Sequence, residues 1–320
     1  MMNTAHPIAI YYEHPDWFRP LFSELDRRQI PYIRINAREH SYDPSGGNGK
    51  YSLWFNRMSP SAYLRGAGQA IFYTLGLLEH LEATGVRVVN GQRAFRTEIS
   101  KALQLSLLSS NRLPHPKTRV INHPTQAPQA VRELRLPIIV KPNIGGSGAG
   151  VTRFNTQQAL ASAVAQGRLE LGLDQTALVQ EFIPAREGHI TRIEVLGGKF
   201  LYAIRIYFSG ENYNLCPADI CQTTDGVELS RESCLVEAAK NSLRVEAYTP
   251  PRKIIHAAER LMAAAGIEVG GIEYIVDDRD GRLYYYDINA LSNFVADATH
   301  VVGFDPFARL VDYLEREARR

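Results

Sequence analysis

Two groups of residues in this chain have the types and spacing that phosphate and metal chemistry require. In the first group, Lys141 ends an apolar run and is followed by Gly145, Gly146 and Gly148 around Ser147. Glycine lacks a Cβ, so its backbone N–H can approach an anion closely, and the lysine adds a full positive charge. The loop therefore suits a polyphosphate grip, although an ordinary exposed hairpin explains the same residues equally well.

The order of residues around this loop excludes two common nucleotide motifs. The lysine precedes the glycines and no Gly-Lys-Ser/Thr follows, so the loop is not a P-loop. Val151 to Phe154 alternate like a second strand, whereas a dinucleotide fingerprint would open a helix. The pattern predicts a hairpin with a mobile glycine tip.

The second group consists of Glu273, Asp287 and Asn289. Alternation along a strand places Asp287 and Asn289 on one face, and a turn near Asp278 brings Glu273 opposite Asp287. Two carboxylates and an amide oxygen suit Mg²⁺ completed by phosphate oxygens. Solvated residues near a turn are the alternative, which the tyrosine-rich flanks disfavour.

Two further features gain meaning only in combination with these groups. Lys101 falls on an apolar helix face, where an isolated lysine usually extends its ammonium to solvent. The segment from Gln180 to Ile183 ends a buried strand before Pro184, and its backbone suits the edge of an adenine ring. A plain buried strand is the alternative for that segment.

The elements that position these residues follow from the hydrophobic pattern. Strand and helix signals alternate over residues 1–92, which predicts a βαβ domain with a parallel sheet. One helix is predicted over Arg93–Ser110, and antiparallel strands over Ile190–Leu196 and Phe200–Phe208. We expect a central subdomain over 93–184 and a C-terminal subdomain over 185–320.

Composition limits the classes of protein. At 320 residues, with 22% charged residues and a net charge of +2, the chain offers no argument for a nucleic-acid or membrane partner. The N-terminal residues do not form a signal peptide, and sparse cysteines fit a reducing compartment, so we expect a cytoplasmic protein. Cys216 and Cys221 lack further ligands at zinc spacing.

Taken together, the order of these motifs resembles the ATP-grasp superfamily, and within it the RimK-like carboxylate–amine ligases, from about Arg93 to Leu314. The resemblance implies a fold of two α+β subdomains that clamp ATP, preceded by a βαβ domain. It implies that ATP is the nucleotide, with Mg²⁺ as the metal and Mn²⁺ as its alternative. The implied nucleotide contacts are Lys101, Lys141, Gly145, Gly146, Ser147, Gly148, Gln180, Glu181, Phe182, Ile183 and Glu187, and the implied metal ligands are Glu273, Asp287 and Asn289.

This sequence departs from the family pattern at several positions. Asp287 stands where a glutamate is usual, and Ile190 stands where an aspartate precedes the central Arg192. The run from Ile206 to Gln222 lacks the basic, glycine-rich loop expected at the acceptor site. Ala290-Leu291-Ser292-Asn293-Phe294 replaces a Pro-Gly turn.

The implied activity joins a carboxylate to an amine through an acyl phosphate. Arg192 and Arg205 are predicted to hold the carboxylate and the oxyanion, with surface ion pairs as the alternative, and Asn293 is a third substrate residue. The substrates are expected to be a small-molecule or peptide carboxylate and an amine. A homo-oligomer is compatible with this expectation. The alternatives are a kinase-like phosphotransferase and a nucleotide-binding module without catalysis.

Overall fold

The computed structural model describes residues 6–14, 16–46, 51–146, 148–208 and 244–320. These residues form a parallel sheet of four strands, an antiparallel sheet of four and an antiparallel sheet of five. The expected α/β region followed by α+β regions is confirmed. Ser147, Cys216, Cys221 and the segment from Tyr213 to Gln222 lie outside the described residues.

The first sheet has the strand order β2-β1-β3-β4, and all neighbouring strands are parallel. Its two inner strands, β1 and β3, are buried, as parallel strands covered on both faces must be; β1 is apolar throughout, and β3 is apolar up to Asn56 and Arg57 at its end. The elements of this region are β1 (Ile8–Tyr12), α1 (Arg19–Arg27), β2 (Tyr32–Asn36), β3 (Leu53–Arg57), α2 (Gly68–Ala83) and β4 (Val88–Val89).

The expected single helix over Arg93–Ser110 is wrong, because the chain forms two helices there. Ser100 adopts an extended backbone conformation, and its side chain accepts a hydrogen bond from the amide of Leu103 as an N-cap. Lys101 is therefore the first residue of a helix and does not lie in the middle of an apolar face. The two helices are α3 (Gln92–Glu98) and α4 (Lys101–Ser110).

The second sheet has the order β5-β8-β6-β7, and β6 pairs with β7 as the predicted hairpin around the glycine loop. Its elements are β5 (Thr118–Ile121), α5 (Ala127–Ala130), β6 (Ile138–Pro142), β7 (Thr152–Phe154), α6 (Gln157–Ala165) and β8 (Ala177–Glu181). Val140 and Val179 lie in the core of this sheet, whereas Leu178 packs with residues of the third sheet. Lys141 pairs with Leu178 in the ladder, so Lys141 shares the face that is turned to the third sheet.

The third sheet has the order β11-β10-β9-β12-β13, with β13 at one edge. The amphipathic helix α7 covers one face through Ala258, Leu261 and Met262. The elements are β9 (His189–Leu196), β10 (Lys199–Tyr207), β11 (Arg244–Tyr248), α7 (Arg252–Ala265), β12 (Val269–Val276), β13 (Leu283–Asn289), α8 (Ala298–Val302) and α9 (Pro306–Ala318). In the described part of the chain, no helix is long and apolar enough to cross a membrane.

Candidate functional site

The predicted pair of carboxylates forms one rung of the third sheet. Glu273 on β12 is the direct ladder partner of Asp287 on β13, and Asn289 follows on the same face. Both carboxylates are largely buried, so their mutual repulsion requires a compensating cation. We call Glu273, Asp287 and Asn289 the acidic face.

Each carboxylate of the acidic face is bonded to a cation. Lys101 Nζ lies 2.5 Å from Asp287 Oδ1, and Arg192 Nη1 lies 2.9 Å from Glu273 Oε1. The remaining oxygens accept from Tyr286 Oη at 2.7 Å and from Asn289 Nδ2 at 3.3 Å. Lys101 thus compensates the charge of Asp287, and Arg192 compensates that of Glu273.

The pKa directions follow from this arrangement. Burial raises the pKa of Glu273 above its usual range, despite the Arg192 guanidinium beside it. Burial would also raise the pKa of Asp287, but Lys101 and Lys141 outweigh it and hold the value below its ordinary range. Asp287 is accordingly ionised at neutral pH and available as an anionic ligand.

The donor set of the acidic face fits Mg²⁺. Two carboxylates and an amide oxygen are hard ligands, and magnesium is usually completed by water and phosphate oxygens. No cluster of three or more His, Cys, Asp or Glu side chains suited to a metal exists among the residues described.

Lys141 is buried on β6, and within the described ranges it makes no side-chain hydrogen bond or ion pair. Burial and the nearby Lys101 lower the pKa of Lys141 to about 8. Lys141 is therefore a desolvated cation that an anionic ligand can neutralise.

Asn143 fixes the two lysines relative to each other. The Asn143 carbonyl accepts from the Lys101 amide at 3.2 Å, and its side-chain oxygen accepts from the Ala102 amide at 2.9 Å. Its own amide donates to Thr176 O at 2.9 Å. Because Asn143 follows Lys141 by two residues, these bonds join the start of α4 to the end of β6.

The glycine loop folds back over its own base and towards the first sheet. A Cβ at Gly145 would lie 3.3 Å from Pro142 Cγ, and one at Gly146 would lie 3.6 Å from Ser61 Cβ. Gly148 has a φ of +73°, a backbone conformation that residues other than glycine rarely adopt. Close packing at Gly145 and the backbone conformation at Gly148 thus favour glycine at these two positions, in addition to their suitability for phosphate.

The predicted adenine segment lies at the end of β8. Gln180 shares the Lys141 face and donates to Thr118 Oγ1 at 2.8 Å. The Phe182 amide donates to Pro137 O at 3.0 Å, and its carbonyl accepts from Arg279 at 3.2 Å. The carboxylate of Glu181 accepts from the Arg135 amide, and Ile183 is buried.

Glu187, the predicted ribose contact, lies apart from the two lysines on an exposed turn. Its backbone is left-handed, with a φ of 56°, and its carboxylate lies 4.0 Å from His189 Nδ1. Among the described residues, no contact connects Glu187 to Lys141 or to the acidic face. The ribose role of Glu187 stays a prediction.

The two predicted substrate arginines lie on adjacent strands but on opposite faces of the third sheet. Arg192 is the ladder partner of Ile204, and Arg205 is the partner of Thr191. A bulge between Phe200 and Tyr202 shifts the register by one residue, which turns every later side chain of β10 to the other face.

The bulge separates Arg205 from the acidic face. The Arg205 guanidinium stacks 4.1 Å from the Tyr248 ring and lies 3.8 Å from Glu246. Arg192 instead contacts Glu194 at 2.5 Å and Ser292 Oγ at 3.2 Å, in addition to Glu273. The structure therefore brings Arg192 together with the predicted ligands and does not bring Arg205.

Three side chains that the sequence patterns did not reveal hold the end of β13. Gln104 donates to Ile288 O at 2.8 Å and accepts from Ile288 N at 3.1 Å. Asn90 donates to Ala290 O at 2.7 Å, and Glu98 accepts from Ala290 N. The position of Asp287 and Asn289 thus depends on α3, α4 and the first sheet.

Arg57 is a further residue that sequence reasoning missed. It ends β3, is buried, and donates through Nη2 to Ser292 O and, at 3.4 Å, to Asn293 Oδ1. The predicted substrate residue Asn293 thus lies against the first sheet. The available signal was a charged residue at the carboxyl end of an apolar strand in a predicted parallel sheet.

Comparison with solved structures identifies the fold as ATP-grasp. The RimK domain ATP-grasp protein from Sphaerobacter thermophilus is 19% identical, with a TM-score of 0.66 over 96% of this chain and 99% of that one. The ATP-grasp ligase PsnB, complexed with minimal precursor, Mg and ADP, is 16% identical, with a TM-score of 0.64 over 99% of each chain.

Within that fold, residues 99–213 match the family model of the RimK-like ATP-grasp domain. A probable alpha-L-glutamate ligase of Vibrio vulnificus is 30% identical over 135 residues, which are 42% of this chain and 44% of that protein. The chain thus spans less than half of that relative. The predicted resemblance is confirmed: residues 99–213 are similar to the RimK-like ATP-grasp domain, and the whole described chain has the fold of ATP-grasp ligases.

Proposed function

We propose that this protein is an ATP-dependent ligase that joins a carboxylate to an amine through an acyl phosphate. The observation that carries the proposal is the convergence of Lys101, on α4, with a rung of two buried carboxylates, beside Lys141 on the facing sheet. Cations for a polyphosphate and anions for its metal are what phosphoryl transfer requires.

ATP is proposed to lie between the second and third sheets. Lys141 and the loop from Gly145 to Gly148 would contact the phosphates, because Lys141 is a buried cation without an ion pair in the part of the chain that is described. The adenine edge would meet the backbone at Glu181 to Ile183. The Phe182 amide and carbonyl are held in place there by their bonds to Pro137 O and Arg279.

The acidic face is proposed to hold Mg²⁺, with Mn²⁺ as its substitute, through oxygens of Glu273, Asp287 and Asn289. The bound metal would neutralise charge on the phosphoryl group during transfer. Lys101 then exchanges its contact with Asp287 for a phosphate oxygen, so that the chain's own cation moves from the carboxylate to the nucleotide.

Arg192 is proposed to orient the reacting carboxylate. A carboxylate oxygen attacks the γ-phosphorus, the bond between that phosphorus and the β,γ-bridging oxygen breaks, and ADP leaves. The amine attacks the carbonyl carbon of the acyl phosphate, the C–O bond to phosphate breaks, and the nitrogen loses a proton. The bonds from Arg192 to Glu273 and Ser292 hold its guanidinium beside the acidic face, where oxyanion charge develops.

The named functions of similar proteins support an amino acid or peptide as substrate. A relative is named as an alpha-L-glutamate ligase, and PsnB was solved with a precursor. We extend this substrate class to the chain: a carboxylate and an amine from amino acids or peptides. We also propose that the protein is cytoplasmic, has no nucleic-acid or membrane partner and is able to form a homo-oligomer.

The test is an ADP-release screen of the full chain with amino acids and dipeptides as paired substrates and Mg²⁺ present. We expect ADP release that requires both an acid and an amine, together with a C–N bonded product by mass spectrometry. Lys141→Ala is the matched control and should remove the signal. A stable phosphorylated product formed without amine would favour a kinase instead, and absence of turnover with every pair would favour a non-catalytic module.

A further inference from the structure

Arg57 is a buried guanidinium with unused hydrogen-bonding capacity. The residue is 3% exposed, and among the described residues its Nε and Nη1 have no hydrogen-bond partner. Within the described ranges no carboxylate lies within 4 Å of it, the limit for an ion pair. Buried polar groups are nearly always paired, so two orphaned donors on one cation require an explanation.

The surrounding side chains do not supply a missing partner. The Phe18 and Phe55 rings lie 5.3 Å and 5.1 Å from the Arg57 guanidinium and stabilise its charge without accepting a hydrogen bond. Glu13, which follows the neighbouring strand, is already bonded to Arg38 and Arg65. The Glu98 and Glu194 carboxylates are near enough to oppose the lowering of the Arg57 pKa by burial, but they bond to Ala290 N and Arg192. Among the described residues, Arg57 is thus partly compensated in charge without a direct ion pair.

The position of Arg57 in the first sheet is the position at which open parallel sheets bind ligands. The strand order β2-β1-β3-β4 reverses direction between β1 and β3. Arg57 is the last residue of β3 and is the ladder partner of Tyr12, the last residue of β1. Ligands of such sheets bind outside the carboxyl ends of the strands at this switch point.

Arg57 also lies next to the acidic face. Its Nη2 donates to the carbonyl of Ser292, and Arg192 Nη2 donates to the hydroxyl of the same residue at 3.2 Å. Arg192 in turn contacts Glu273 at 2.9 Å. One residue, Ser292, therefore separates the orphaned guanidinium from the arginine that lies beside the candidate metal ligands.

We propose that Arg57 anchors a carboxylate of the substrate that is not the one phosphorylated, so that one substrate is an amino acid or a dicarboxylic acid. A guanidinium offers a carboxylate two sides, one formed by Nη2 and Nε and the other by Nη2 and Nη1. On either side of Arg57, one of these nitrogens, Nε or Nη1, has an unused N–H among the described residues. The inference rests on the proposed ligase function and assigns it a substrate class.

The test compares carboxylates with their carboxamides in thermal-shift measurements on the full chain with Mg²⁺ and a non-hydrolysable ATP analogue. The standard amino acids probe an acceptor carboxylate, and succinate and glutarate probe a donor carboxylate. We expect at least one carboxylate to raise the Tm more than its amide does, and Arg57→Gln to abolish that difference. Equal responses of acid and amide in the wild type, or an unchanged difference in Arg57→Gln, would overturn the proposal.

Two further variants separate anchoring from folding. Arg34→Gln removes an exposed arginine from the same sheet and should respond like the wild type. Arg57→Lys keeps the buried charge but lacks the planar fork, so it should fold and lose most of the carboxylate response. A wild-type response in Arg57→Lys would count against recognition by the fork.

The kinetic experiment distinguishes this proposal from the proposed function. With a substrate pair found in the ADP-release screen, Arg57→Gln should raise the KM of the carboxylate-bearing substrate on the order of 100-fold, while the KM for ATP stays unchanged. A wild-type KM would overturn the anchor and leave the ligase intact. An Arg57-dependent thermal shift in a protein that releases no ADP with any pair would leave the anchor and overturn ligation.

Discussion

The start of α4 and strand β6 each place a lysine beside the acidic face, but among the described residues only the lysine on α4 is paired with a carboxylate. Lys101, held against the third sheet, has a carboxylate 2.5 Å away. Burial lowers its pKa, but Asp287 outweighs that effect and the net shift is upward. Lys141, on the second sheet, has no such partner among the described residues, and burial lowers its pKa to about 8.

This difference assigns the lysines different energetic roles. The charge of Lys101 is already compensated by Asp287, so its net gain from a nucleotide is smaller. Lys141 gives up nothing, so a phosphate relieves a cation that burial has already destabilised. We therefore expect Lys141 to contribute more to nucleotide affinity, and Lys101 to contribute more to the stability of the free protein.

The largest effect is expected from Lys141→Ala. Removing the unpaired cation should lower kcat/KM for ATP on the order of 1,000-fold, as loss of one transition-state donor does in other enzymes. Steady-state kinetics give this value, and circular dichroism should show an intact fold. Activity within a few fold of wild type would contradict the assignment of Lys141.

Asn289→Ala tests the acidic face and should have the next largest effect. Loss of one amide oxygen should lower activity on the order of 100-fold and raise the Mg²⁺ concentration required for half-maximal rate. A magnesium titration of the rate measures this change. An unaltered magnesium requirement would remove Asn289 from the ligand set.

Lys101→Met should mainly lower the free energy of unfolding of the nucleotide-free protein. Breaking a largely buried ion pair by removing one partner costs about 3 kcal/mol, because Asp287 loses its bonded cation and keeps only the more distant Lys141 and Arg192. Asp287 has a lowered pKa in the folded protein, so its stabilising contribution is present above its unfolded pKa, and the variant should lose stability there. Thermal unfolding measures the loss, and added Mg²⁺ should restore part of it. A variant that Mg²⁺ does not stabilise would contradict the metal assignment.

The pH dependence of ATP affinity should report Lys141. Its pKa in the free protein is about 8 and should rise when phosphates bind, so binding above that pH requires proton uptake. Affinity should therefore fall up to about tenfold for each pH unit above the free pKa. Isothermal titration from neutral to alkaline pH measures the slope, and Lys141→Arg, which stays charged, should flatten it.

The smallest effect is expected from Arg205→Gln. Because the bulge in β10 places Arg205 on the face opposite Arg192, its removal should change kcat/KM by less than about twofold. Arg192→Gln, assayed beside it, should lose far more. Equal losses in the two variants would show that Arg205 reaches the substrate after all.

The sequence predicted the hairpin that brings Glu273 near Asp287, and the structure confirms their pairing. The shared face of Asp287 and Asn289 follows from alternation, whereas the rung itself depends on a bulge beside Glu273, without which Glu273 would oppose Tyr286. The side of the sheet on which Arg205 lies was beyond prediction. One extra residue between Phe200 and Tyr202 moves every later side chain of β10 to the opposite face. The position of Arg57 at a strand end could be read from the sequence, but its contact with Ser292 could not, because that contact joins segments 235 residues apart.

The side chain of Gln104 covers part of the edge strand β13 and so limits strand pairing between molecules of this protein. It donates to and accepts from Ile288 as a neighbouring strand would, and Pro114 O accepts from the Tyr285 amide further along β13. An uncovered edge strand is a template for pairing with another chain. The strand that carries Asp287 and Asn289 is therefore protected against aggregation by strand addition, and Gln104→Leu should weaken that protection at Ile288.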